Sequence, residues 1–336
     1  MTYSQTANFN YFRQERIVLQ SVQKSASVLR QEKRAVLLKK MKRYKYVYLL
    51  MLPAVLLTLI LAYLPVGGLI MAFQDYDIIK GIGGSPFVGL DNFIKIFSTP
   101  KFLHAIRNTV TYSGVGILFG TWTPIILAIL INEITAARFK KLVQTISYLP
   151  HFLSWVSVVG ILYGIFAING SYNDIMTSIL GDSYERTNIL TDPDNFLGLM
   201  FWSNQWKNIG WSSIVYLAAI VGVDQSLYEA ATVDGCNKFK QIIHITIPGI
   251  FPTIAVLFIM NISGLLASNF EQVFGLQNIF TQEKTEVIST LVYRMGILNG
   301  EYSMSTAFGL ANGIVSFFLV YTTNLISKKL SGIGLW

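Results

Sequence analysis

The chain has 336 residues, of which 52% are hydrophobic and 13% charged, and its mean hydropathy is +0.49. A soluble domain carries about 25% charged residues to wet its surface, so this composition excludes soluble enzymes, disordered chains and disulfide-rich scaffolds and makes the bilayer the main solvent. The formal charge of +8, from 26 Lys and Arg against 18 Asp and Glu, points in such a chain to anionic lipid and to topology, and Cys236 as the one cysteine excludes an internal disulfide or a Cys-held metal.

Residues 1–45 form a basic leader holding 11 of the 26 Lys and Arg. Within 14–45, Val18, Val22, Leu29 and Val36 alternate with Arg and Lys. That mixture is open to two readings, a helix lying on anionic headgroups or a cytoplasmic leader whose basic end at 39–45 sets orientation. The apolar run that follows is too long for a signal peptide and has no small-residue cleavage site after it, so it is expected to remain in the membrane.

A helix of about 20 apolar residues crosses roughly 30 Å of hydrocarbon. Stretches 46–73, 108–132, 142–167, 242–270 and 302–327 meet that requirement; 196–223, interrupted by Lys207, is counted as one more. With the N-terminus inside, the cytoplasmic parts are 1–45, 133–141, 224–241 and the end after 327. They hold 18 of the 26 Lys and Arg and six of the 18 Asp and Glu, the bias that retention of positive charge inside demands. The fold class expected is therefore all-α integral membrane with six spans and both termini cytoplasmic: a leader at 1–45, a transmembrane domain at 46–330 and a short tail at 331–336. The outer loops 74–107, 168–195 and 271–301 are long, and the breakers Gly-Ile-Gly-Gly-Ser-Pro at 81–86 and Thr-Asp-Pro-Asp at 191–194 mark turns. They suit an external docking surface.

The inner loop 224–248 carries the most local signal. Ser226 and Glu229 have the spacing of a capping box, 227–234 makes about two helical turns, and Gly235 stands where a left-handed residue ends a helix. Asn237 can cap a second short helix, and Pro248 resets the chain before the next span. Ala230 and Ala231 leave one face of the first helix bare, which permits close approach by a partner's groove; the plain alternative is a well-capped connector between two spans.

Glu229-Ala230-Ala231, three residues, Gly235, nine residues, Ile245, one residue and Ile247-Pro248 resemble the EAA loop of ABC importer permeases, EAA-x3-G-x9-I-x-L-P. Only Ile247 departs from it. The likeness covers roughly 46–336, and Tyr-Leu-Pro-His-Phe-Leu-Ser-Trp at 148–155, Trp-Lys-Asn-Ile-Gly-Trp at 206–211, Tyr-Leu-Ala-Ala at 216–219 and Gly-Ile-Gly-Leu-Trp at 332–336 resemble the polysaccharide branch of carbohydrate importer permeases. The resemblance implies a type I ABC importer transmembrane domain in a bacterial plasma membrane. It also implies that the loop residues Glu229, Ala230, Ala231, Asp234, Gly235, Ile245, Ile247 and Pro248 couple to an ATPase. The partners implied are a second homologous permease, two ATPase subunits that bind ATP and Mg, and an extracytoplasmic sugar-binding protein; the cargo implied is an oligosaccharide from polysaccharide breakdown.

The chain has no G-x-x-x-x-G-K-[ST] phosphate loop, no H-E-x-x-H and no G-x-S-x-G. His104, His151 and His244 are scattered along it, so neither catalysis nor a metal site is expected. His151 beside Pro150 reads as a packing histidine rather than a proton relay, and Gly114, Gly116 and Gly120 as sites of close helix packing. Lys207 either faces a polar cavity or snorkels to the interface with Trp202, Trp206 and Trp211 around it, the second reading being slightly favoured. Sugar recognition pairs aromatic faces with amides and hydroxyls, which makes Tyr163, Trp206, Lys207, Asn208, Asn261, Ser263, Asn269 and Glu271 candidates for a substrate pathway. Lys207 and Arg294 would suit an anionic uronide. The rivals weighed are a permease for another solute of the same superfamily, a secondary transporter and an intramembrane hydrolase. The second lacks acidic relays and an inverted repeat; the third lacks a paired nucleophile and base.

Overall fold

The computed structural model describes residues 39–266, 268–332 and 334. Most of the leader, and Ile333, Leu335 and Trp336 of the terminal motif, lie outside the described residues. The chain divides into two compact units, Met1–Gly68 and Leu69–Trp336.

In the first unit, α1 (Lys45–Thr58) passes into a π turn at Leu59–Tyr63 and then a 3-10 segment, Leu64–Phe73, that enters the second unit. Pro65 has no N–H to offer the Leu61 carbonyl, and the helix widens immediately before it.

The second unit is helical, and its described residues hold no strand, only a bridge between Gln74 and Phe87. Its main helices are α2 (Asp91–Ser98), α3 (Pro100–Gly120), α4 (Trp122–Glu133), α5 (Ala137–Tyr148), α6 (Trp155–Phe166), α7 (Ser171–Leu180), α8 (Phe196–Val221), α9 (Gln225–Val233), α10 (Lys238–Gln241), α11 (Ile247–Ser263), α12 (Phe270–Leu276), α13 (Ile288–Tyr293) and α14 (Tyr302–Ser331). Ile125 and Ala128 of α4, Tyr216 and Ile220 of α8 and Ile250 and Ile254 of α11 form one buried cluster. Leu190, Phe196, Met200, Val273, Leu276 and Val287 form a second. A third joins Ala72, Ile96, Phe102, Ala105, Leu266, Ile288, Leu291, Met295, Ala307 and Phe308.

Among the described residues, five helices are long and apolar enough to cross a membrane: Lys45–Phe73, Pro100–Glu133, Trp155–Leu180, Lys238–Ile262 and Tyr302–Lys329. A sixth is reached if α8 is counted with α9, to which it is bent by 69°. Three expectations change. The stretch 142–167 is not one helix: α5 ends at Tyr148, a 3-10 turn follows at Leu149–Phe152, Leu153 and Ser154 are extended, and Ser154 Oγ accepts from Ser157 N–H to start α6. Pro150 cannot donate to a continuing α ladder, and Ser154 offers a good cap. The stretch 242–270 starts and stops early, since α10, a π turn at Ile242–Thr246 and α11 run together from Lys238 and end at Ser263. Pro248 therefore does not reset the chain, because the π turn before it absorbs its missing N–H. Finally, 271–301 is not simply a surface loop. Gln272, Val273, Leu276, Thr285, Val287, Ile288, Leu291 and Met295 are buried, in apolar runs that hydropathy averages away against Glu283, Lys284, Glu286 and Arg294.

Candidate functional site

The loop between α8 and α11 holds two short helices with capped starts. Asp224, not Ser226, caps α9, its side chain accepting from Ser226 N–H at 2.9 Å. Ser226 lies inside the helix, so the expected capping box is replaced by an Asp cap two residues earlier in the chain. The Ser226 bonds hold the Asp224 carboxyl below its ordinary range, because they favour the charged form. At the other end Cys236 N–H donates to Ala231 O at 2.8 Å and Gly235 N–H to Thr232 O at 3.1 Å, with Gly235 at φ +75°. This pair of bonds is the Schellman closure, in which a left-handed residue lets two trailing N–H groups turn back. Asn237 Oδ1 accepts from Lys240 N–H at 2.9 Å and starts α10, as expected.

The loop is also fastened to the foot of α11. Tyr228 and Thr246 hydroxyls are 2.9 Å apart, and Gln241 Nε2 donates to Thr232 Oγ1 at 3.0 Å. Gln241 and Thr246 are buried. Neither the resemblance nor the spacing singled out these four; Tyr228 and Thr232, on one α9 face four residues apart, are the signal that was available. Of the coupling candidates, Glu229, Ala230, Asp234, Gly235 and Pro248 are exposed, and Ala231, Ile245 and Ile247 are half-buried. Leu227 and Val233, three residues either side of Ala230 on α9, stand exposed with it and give the tip an apolar surface, and Phe239 of α10 is exposed as well.

A cavity of about 300 Å³ lies between α3, α4, α8, α11 and the start of α12. Its polar lining is Tyr112, Ser113, Asn204, Gln205, Asn208, Ser212, Asn261, Ser268, Asn269 and Gln272, and among the described residues no charged side chain lines it. Three pathway candidates, Asn208, Asn261 and Asn269, meet there. Tyr163, Trp206, Lys207 and Glu271 do not line it, and the side chain of Ser263 is outside the described residues. Asn269 also caps α12, accepting from Gln272 N–H at 3.2 Å. Buried Gln272 bridges α12 to α8, donating to Met200 O and Ser203 Oγ at 2.8 Å each. The spacing of Asn204, Asn208 and Ser212 by four residues marks one helix face, and reading that period would have found the wall. Gly116 lines the cavity and nothing lies within 4 Å of a Cβ at Gly114 or Gly116, so neither serves close packing within this chain. Gly120 does, since a Cβ there would stand 2.6 Å from Gln205 Nε2.

Lys207 neither snorkels nor enters the cavity lining. It is 6% exposed, and its ammonium donates to the carbonyls of His151 and Leu153, both at 2.6 Å, with the Trp155 ring 5.6 Å away. His151 is the packing histidine expected: it stacks on Trp211 at 4.5 Å and its Nδ1 is 3.0 Å from Asn208 Oδ1. Arg294 is likewise engaged inside the fold, bonded to Gln277 Oε1 at 3.0 Å, 3.4 Å from Glu286 Oε2 and over the Phe274 ring. Both cations considered for an anionic cargo thus serve the protein's own groups.

A half-open cavity with a partly polar lining among long apolar helices, with a capped loop attached to one of them, is an arrangement that suits a membrane transport subunit. Residues 116–331 match the family described as binding-protein-dependent transport system inner membrane component, and the chain belongs to that family. It is an inner-membrane permease. It is 40% identical to Protein LplB of Bacillus subtilis (strain 168) over 297 residues, 88% of this chain and 92% of that one. It is 39% identical to the polygalacturonan/rhamnogalacturonan transport system permease protein YteP of the same organism, over 93% of this chain and 96% of that one. A chain in the crystal structure of a bacterial alginate ABC transporter, in complex with alginate pentasaccharide-bound periplasmic protein, superposes with a TM-score of 0.80 at 39% identity, covering 88% of this chain and 99% of that one.

Proposed function

We propose that this chain is the permease subunit of an ATP-driven importer of oligosaccharides released from polysaccharides, with six spans and both termini in the cytoplasm. The observation that carries the reading is one continuous mechanical path. The apolar tip at Leu227, Ala230 and Val233 belongs to a helix bonded through Tyr228–Thr246 and Gln241–Thr232 to the foot of α11, and Asn261 near the other end of α11 lines the polar cavity. Force applied by an ATPase at the tip would reach the cavity wall along this helix. Driving a two-state rocking from 1:99 to 99:1 needs about 5.5 kcal/mol of differential free energy, which ATP and Mg bound by two partner subunits would supply while a second permease completes the pathway.

The cargo class rests on the cavity's amides and hydroxyls beside Tyr112 and Phe201, the pairing that binds sugar hydroxyls and C–H faces, and on relatives whose names specify polygalacturonan and alginate. A binding protein would deliver the sugar from outside. Photocrosslinkers placed at Ala230 and Val233 in the assembled complex test the reading: each should reach an ATP-hydrolysing subunit. Crosslinks that find only lipid, or only an external protein, would overturn it.

A further inference from the structure

Lys207 poses a question that the transport reading does not answer, namely why a cation is buried at 6% exposure on an apolar helix. At the break between α5 and α6 the chain is extended at Leu153 and Ser154, so the interrupted ladder leaves the carbonyls of His151 and Leu153 for another donor. In a hydrocarbon setting such carbonyls need a partner, and the end of a helix favours a positive charge. The Lys207 ammonium meets both at 2.6 Å and sits near the Trp155 face. Close by, α8 carries Gly210 so tightly against α5 that a Cβ there would stand 2.0 Å from Ser147 O. The held break presents His151 flat on Trp211 and aims its Nδ1 at Asn208 Oδ1, 3.0 Å away; Asn208 Nδ2 donates in turn to Asn204 Oδ1 at 3.3 Å. Asn204 and Asn208 are cavity wall.

We infer that Lys207 is a positioning residue: it latches the break at 149–154 to α8 and, through His151, sets the orientation of Asn208 in the cavity. Its charge is spent on backbone carbonyls and is not presented to cargo. The inference does not depend on what the cavity carries.

The test uses the full chain with its partners in membrane vesicles, with Cys236→Ser removing the native thiol and Ser212→Cys reporting from the cavity wall. Two thiol reagents are compared, an uncharged methanethiosulfonate and one bearing a sulfonate. Lys207→Met should accelerate labelling by both reagents at least about threefold, the size of a modest coupling between neighbours, and leave the ratio of the two rates unchanged. His151→Phe, which keeps a ring on Trp211 and removes only the bond to Asn208, should do the same. A rate change confined to the sulfonate reagent would place the ammonium in the cavity and overturn the inference, as would unchanged labelling in His151→Phe. The second variant decides alone if Lys207→Met does not accumulate.

Discussion

At φ +75° Gly235 occupies a conformation that costs an L-residue roughly 1–2 kcal/mol, and a Cβ there would meet nothing within 4 Å. The penalty of Gly235→Val is therefore conformational, falling on the Schellman closure and not on packing. We expect Gly235→Val to insert normally and to hydrolyse ATP in the assembled complex, but to transport less sugar per ATP; Gly235→Asn, which tolerates the left-handed region better, should lie between. A normal ratio of sugar moved to ATP hydrolysed in the Val variant would count against the loop as a lever. Gly120 and Gly210 make a contrasting pair. A Cβ at Gly120 meets the side-chain amide of Gln205, whereas at Gly210 it meets the Ser147 backbone at 2.0 Å. Gly210→Ala should lower the stability of the detergent-solubilised protein by about 1–3 kcal/mol, the usual cost of overpacking. Gly120→Ala should lower its melting temperature by less, since a side-chain amide gives way more readily than backbone even though the bond that Gln205 accepts from Thr123 Oγ1 must shift with it.

At the scale of the element, α9 is a short helix closed at both ends. Its start depends on an ionised Asp224, whose carboxyl is held below its ordinary range by the Ser226 bonds. A lowered folded pKa means that the cap's contribution is fully present above the unfolded value, about 3.9, and is lost as pH falls through the folded value. Amide protection across Ser226–Val233 should accordingly decline below about pH 4 in the wild type, whereas in Asp224→Asn, whose cap carries no charge, it should be insensitive to pH. Hydrogen exchange read by mass spectrometry checks this; equal pH profiles in the two proteins would remove Asp224 ionisation from the account. The far end of the element is closed by the Schellman bonds around Gly235, and Tyr228 and Thr232 tie the helix to Thr246 and Gln241 ahead of α11.

For the whole molecule, the proposed six-span topology places residues 133–141 and 224–241 on one side and 271–301 on the other. With Cys236→Ser as background, Thr135→Cys and Ala230→Cys should resist an impermeant maleimide in intact cells and react once the membrane is opened, whereas Glu301→Cys should react in both conditions. Labelling of Ala230→Cys from outside would invert the assignment. The same arrangement explains the use of charge: Lys and Arg gather in the leader and inner segments, while the cavity lining is neutral. Interior cations are engaged by carbonyls or by Glu286, as burial of a charge requires.

Much was legible in the chain itself. Uncharged runs of sufficient length announce the long helices because hydrocarbon tolerates little else, and Gly235 and Asn237 announce the loop because left-handed turns and helix caps are local events with few residue choices. Only the tertiary structure decided the rest. Whether Lys207 meets water, cargo or protein depends on carbonyls more than fifty residues earlier in the chain, freed by the break around Pro150. Whether Asn208 lines a cavity and Tyr163 does not depends on which helix faces pack together. The buried residues within 271–301 were hidden because they stand in short apolar runs among charges, and only the surrounding helices supply the surfaces that bury them.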